Sequence, residues 1–73
     1  MKSIGYGDLV IATDAEGIQL PKRALGSVIQ GVDFPVVWVC REEEWEAAQR
    51  EGREPEGVPW PAEDVQPRTE SLA

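Results

Sequence analysis

Val58-Pro59-Trp60-Pro61-Ala62-Glu63-Asp64-Val65 is the stretch on which the fold of this chain turns. Each proline fixes its own φ and biases the residue before it toward extended geometry, so the backbone around Trp60 reads as extended. Ala62-Glu63-Asp64 leaves room for a single short turn before the β-branched Val65. The stretch follows a charged helical segment and ends a chain whose first half reads as short strands. It is the closing piece of a small sheet, an architectural signal and not a chemical one.

The strands it would close lie in the first forty residues. Leu9-Val10-Ile11-Ala12 is a short apolar run introduced by Gly7-Asp8 and reads as a buried first strand. Thr13-Asp14-Ala15-Glu16-Gly17 is turn chemistry, with Asp14 placed to bond the local backbone and Gly17 free to take positive φ. Ile18-Gln19-Leu20 alternates and stops at Pro21, so Pro21 to Gly26 reads as a loop or one helical turn. Ser27-Val28-Ile29-Gln30 reads as the next strand, and Asp33-Phe34-Pro35 as a further turn. Val36-Val37-Trp38-Val39-Cys40 lacks any polar side chain and reads as a strand buried on both faces, with Trp38 in the core.

The period changes at Glu42. From there to Glu51 no glycine, proline or β-branched residue occurs, which predicts an α-helix over 42–51. Its first turn gathers Glu42, Glu43 and Glu44, where the helix dipole favours negative charge, and Gly52 is a natural stop. Trp45 is the expected staple to the strands, Glu46 and Arg50 form an i,i+4 pair, and the entrance lacks a capping side chain. Residues 68–73 have nothing to pack with and read as a flexible tail beyond a single domain over 1–67.

Composition bounds the function. A single domain of 73 residues buries only about 60% of the surface its unfolded chain exposes. One cysteine allows no internal disulfide, and the absence of histidine removes the usual metal ligands and the neutral-pH acid–base group. Consecutive Glu42, Glu43 and Glu44 point in different directions and form no carboxylate pair. Cys40, ending the most apolar strand, reads as a small buried hydrophobe; the alternative is a thiol activated by Arg41. Gly5-Tyr6-Gly7 lacks the third glycine and preceding strand of a phosphate loop. The expectation is a non-enzyme with no catalytic residues, cofactor or metal.

Residues 1–40 carry three basic and four acidic side chains; residues 41–73 carry four and ten, giving the net −7. Such a surface repels phosphate backbones, so direct nucleic-acid binding is not expected. No apolar run approaches a bilayer span and no export signal is visible, so the expected location is the cytoplasm, of the host if the chain is phage-encoded.

The strand order, the Gly26-Ser27-Val28-Ile29 strand, the Trp-bearing central strand and the ending Trp60-Pro61-Ala62-Glu63-Asp64-Val65 together resemble an SH3-like small barrel of about five short strands. The layout is similar to that of small uncharacterised barrel proteins of high-GC bacteria and their phages, over about residues 5–67. The helix at 42–51 departs from a minimal barrel, because it fills a connection that is normally a short turn. Peptide-binding SH3 domains carry a tyrosine where this chain has Asp64, and their Ala-Leu-Tyr-Asp-Tyr signature is missing, so proline-peptide recognition does not carry over.

The resulting expectation is a monomeric or weakly self-associating protein-interaction module of accessory or regulatory kind. Its partner-binding candidates are Trp60, Tyr6, Phe34, Glu43 and Glu46. Trp60 either covers an open barrel end or presents its ring in a groove, which Tyr6 and Phe34 line if the first and third loops converge. Two alternatives stand beside it: a small structural component of a virion or larger complex, and an acidic mimic that occupies a basic nucleic-acid site.

Overall fold

The computed structural model describes residues 4–68. Six antiparallel strands and one helix follow one another as β1 (Leu9–Thr13), β2 (Gln19–Ala24), β3 (Ile29–Gln30), β4 (Pro35–Arg41), α1 (Glu42–Glu51), β5 (Val58–Pro61) and β6 (Val65–Pro67), with a 3₁₀ turn at Ala62–Asp64. The strand order is β3-β4-β2-β1-β6, with β5 on β4. β4 is the hub. Along one edge it receives β2 (Ala24 opposite Val39) and then β3 (Ile29 opposite Val36). Along the other it receives β5, with Val37 opposite Trp60. β1 pairs β2 on one side and β6 on the other.

This order explains why the ending governs the fold. β5 and β6 hang on opposite ends of the sheet, yet only Ala62–Asp64 separates them. Three residues reach roughly 10 Å at full extension, so the sheet must curl until its two ends nearly meet. No pairing joins β5 to β6 among the described residues, and the result is a curled half-barrel, a shape compatible with an SH3-like barrel.

Side-chain alternation fills the curl. Val10 and Ala12 of β1, Ala24 of β2, Val37 and Val39 of β4 and Val65 of β6 point inward with Ile4. Trp60 and Ala62 pack against this cluster from its margin. Gly57 is required where β5 begins, because a Cβ there would collide with the Val39 carbonyl oxygen and the Leu25 side chain.

The strand readings need three corrections. β2 runs through Pro21 to Ala24 where a loop was expected. Ladder bonds Ala24 N–H to Asp8 O and Asp14 N–H to Ile18 O put the bonded pairs at alternate positions, and Pro21 opposite Ile11 falls between them. Its missing N–H therefore faces the other edge, where β4 pairs only Lys22 to Ala24. Second, Ser27 and Val28 lie outside the third strand, which starts at Ile29 after a bend held by Leu25 N–H to Trp38 O. Third, Trp38 is not core. With Val37 and Val39 pointing in, the period of two sends Trp38 to the outer face, where it is 42% exposed.

The helix occupies its predicted span. Arg41 precedes it in an extended conformation without a side-chain cap, and Gly52 ends it in the left-handed region at φ 69°, its N–H bonded to Ala48 O. The Glu46–Arg50 pair is not among the ion pairs of the described residues. Arg53, beyond the helix, reaches back instead to Glu44 (2.6 Å) and Glu51 (2.6 Å). Trp45 does staple the helix to the sheet. It meets the Tyr6 ring at 5.1 Å between centroids, touches the space above Gly7, and lies 5.5 Å from the Arg23 guanidinium.

Arg68, the first residue of the expected tail, is tied to the sheet. Its N–H bonds Leu9 O and its guanidinium pairs with Glu42 at 2.9 Å, so it belongs to the sheet end. The remainder of the expected tail lies outside the described residues.

Cys40 is 3% exposed at the junction of β4 and α1. Burial, and then the negative charge of Glu44, push its thiol up from the ordinary value against the pull of Lys22 and Arg23. Arg41 therefore does not activate it. A thiol reagent is expected to label the native protein far more slowly than the urea-unfolded protein. Equal rates would show an open thiol.

Candidate functional site

The outer face of β3, β4 and β5 is the most distinctive surface of this molecule. Outward positions of a sheet exposed to water are ordinarily polar. Here they are Ile29, Val36 and Trp38, with Pro59 directly opposite Trp38 and Pro61 opposite Val36. The Gly31–Phe34 turn, closed by Gly31 N–H to Phe34 O, adds Val32 and Phe34 at the rim. Val32 is 99% exposed, and Ile29 and Phe34 are each 49% exposed.

Trp38 lines two neighbouring shallow grooves. One is lined by Ile29, Val36, Pro59, Phe34 and Val32. The other, toward Leu25, Ser27 and Pro55, shares Ile29 and Trp38 with the first. Asp33 is the only charged residue lining either groove. A chain that is 29% charged has kept this face almost free of charge.

The five sequence candidates do not gather in one place. Phe34 lies in the first groove. Tyr6 lies near the opposite end of β4: its neighbour Gly7 bonds Ala24, which pairs with Val39, whereas Phe34 precedes Pro35. Tyr6 and Phe34 therefore line no common groove. Trp60 is half-buried, and its indole Nε1–H donates to Thr13 O at 2.9 Å, with Lys22 Nζ 5.7 Å from the ring. That bond runs from β5 to β1 across the open side of the curl, and of the two readings of Trp60 it supports the cover. Glu43 and Glu46 are exposed on α1, beside Lys22 and Arg41. Sequence reasoning missed Trp38, Ile29 and Val32 as surface residues.

The acidic helix is partly neutralised internally. Glu42 pairs with Arg68, and Glu44 and Glu51 pair with Arg53. Glu44 also accepts the Glu56 N–H at 3.0 Å, tying the loop before β5 to the helix. The Arg53 hydrogen bond, followed by that backbone bond, holds the Glu44 carboxyl down at about 2, below its ordinary 4.5. A depressed folded-state value means that the ionised form stabilises the fold above pH 4.5, and that this contribution is lost as pH falls toward 2. Glu44→Gln is therefore expected to flatten the fall in melting temperature over that range; an unchanged slope would remove Glu44 as its cause.

Among the described residues no group of three His, Cys, Asp or Glu is placed to hold a metal ion, and no helix is long and apolar enough to cross a membrane. No family model, curated protein or solved structure matches this chain.

Proposed function

We propose that this chain is a non-catalytic protein-interaction module of accessory or regulatory kind, and that it docks through the outer face of β3, β4 and β5. One observation carries this reading: Ile29, Val32, Phe34 and Trp38 form a contiguous exposed apolar surface with almost no charge. Exposed apolar patches of this kind mark contact sites, and partly buried aromatics in such patches dominate interface energetics. Of the residues first singled out, Phe34 belongs to the contact, Trp60 supports the sheet beneath it, and Glu43 and Glu46 lie elsewhere. The pairing of Glu42, Glu44 and Glu51 with arginines weighs against nucleic-acid mimicry, which needs free charge. An accessory role in the cytoplasm, that of the host if the chain is phage-encoded, completes the proposal; there Cys40 would stay reduced.

The test is comparative affinity capture from the source cells. The wild-type chain, Val32→Asp, and a Glu43→Lys/Glu46→Lys double variant are each used as bait. The reading expects Val32→Asp to lose the specifically retained protein and the double variant to keep it. The reverse pattern would move the contact to the acidic helix, and losses that follow added salt would favour mimicry.

A further inference from the structure

Resting on that reading, we infer that the protein which covers this face is a second copy of the chain, two of them packing face to face about a two-fold axis.

The first argument is the core. No described side chain larger than valine is fully buried; the largest are Val10, Val37 and Val39. Of the larger apolar groups left exposed, Trp38, Phe34 and Ile29 share this one face, while Tyr6 and Ile18 are exposed elsewhere. Domains this small without a disulfide or metal staple commonly gain the missing burial by oligomerisation.

The second argument is area. The exposed parts of Ile29, Val32, Phe34, Trp38 and Pro59 amount to on the order of 500 Å². Two such patches, with Ser27, Gln30 and Asp33 at their rims, bury at most roughly 1,200 Å² in all, which just reaches the lower bound of stable specific interfaces.

Shape and charge agree. Trp38 borders both grooves, and a two-fold axis through this face brings Trp38 of one copy against the Ile29–Phe34–Pro59 groove of the other. Copies carrying −7 each repel through most of their surface. The face with Asp33 as its lone charge is where two of them meet at least cost. Association along the β5 edge is blocked, because the β4 register turns the donor-free nitrogens of Pro59 and Pro61 outward.

Sedimentation velocity of the full chain, from micromolar to near-millimolar concentration and at low and high sodium chloride, tests this. The expected result is a shift from 8.1 kDa to twice that mass with rising concentration. Added salt is expected to tighten the dimer by screening the like charges. Trp38→Ala is expected to weaken it by at least about 30-fold, equivalent to about 2 kcal/mol. Val32→Asp, at a fully exposed turn position that does not contribute to folding, is expected to leave a monomer with unchanged circular dichroism. A wild-type monomer throughout, or a dimer indifferent to Val32→Asp, overturns the inference. If the chain stays monomeric while Val32→Asp still abolishes capture of a different protein, the second copy is wrong and the interaction face stands. If Val32→Asp changes neither measurement, both fall.

Discussion

A chain ending at Gly57 is expected not to fold, giving a disordered circular dichroism spectrum and no cooperative melt. The cut removes β5, the 3₁₀ turn and β6 together. β4 loses its partner along Val36 to Val39, and β1 loses its partner along Val10 to Ala12. Those segments contain Val10, Ala12, Val37 and Val39, four members of the buried cluster, and Val65 goes with the cut itself. A domain with so few buried side chains has no reserve against that loss. A truncated chain that still melted cooperatively would show that β1, β2, β4 and the helix form an independent unit.

Trp60→Ala is expected to destabilise the protein by about 3 kcal/mol, measured by urea denaturation. The indole packs on the core margin and holds β5 to Thr13 across the open side of the curl. Trp60→Phe separates the two contributions. It keeps a six-membered aromatic ring on the core margin and removes the pyrrole portion together with its donor to Thr13 O, so a smaller loss of about 1–2 kcal/mol is expected. Equal losses for the two variants would mean that the indole N–H and its pyrrole ring, and not the remaining aromatic packing, carry the effect. A loss below about 1 kcal/mol for Trp60→Ala would return the ring to a binding role.

The architecture was legible wherever local chemistry fixes conformation. Asp14 accepts N–H bonds from Glu16 and Ile18 as turn chemistry predicts, and Gly17 takes φ 84°. The helix ends at Gly52 because only a left-handed residue completes its last turn there. What was illegible depends on register. Pro21 reads as a stop in sequence, yet it sits mid-strand because its absent donor faces an unpaired edge. Trp38 reads as core because its run is uniformly apolar. Period-two geometry then divides that run between an inward pair, Val37 and Val39, and an outward face. The candidate site went unseen for the same reason, since a solvent-facing apolar sheet face and a doubly buried strand have the same composition. A sharper clue lay in the prolines at 59 and 61, which confine β5 to an edge and so leave its β4 neighbour close to the surface.

Position-specific crosslinking tests the contact face most directly. A photoreactive amino acid replaces Val32, at the rim of the groove, in one version of the chain and Glu43, on the helix, in another. Both sites are exposed and neither contributes to the core. Irradiation in the producing cells is expected to give one discrete adduct from position 32 and none from position 43. An adduct at twice 8.1 kDa identifies a second copy, and any other discrete mass identifies a different protein. An adduct from position 43 with none from position 32 would contradict the assignment of the β3–β4–β5 face as the place where this chain meets its partner.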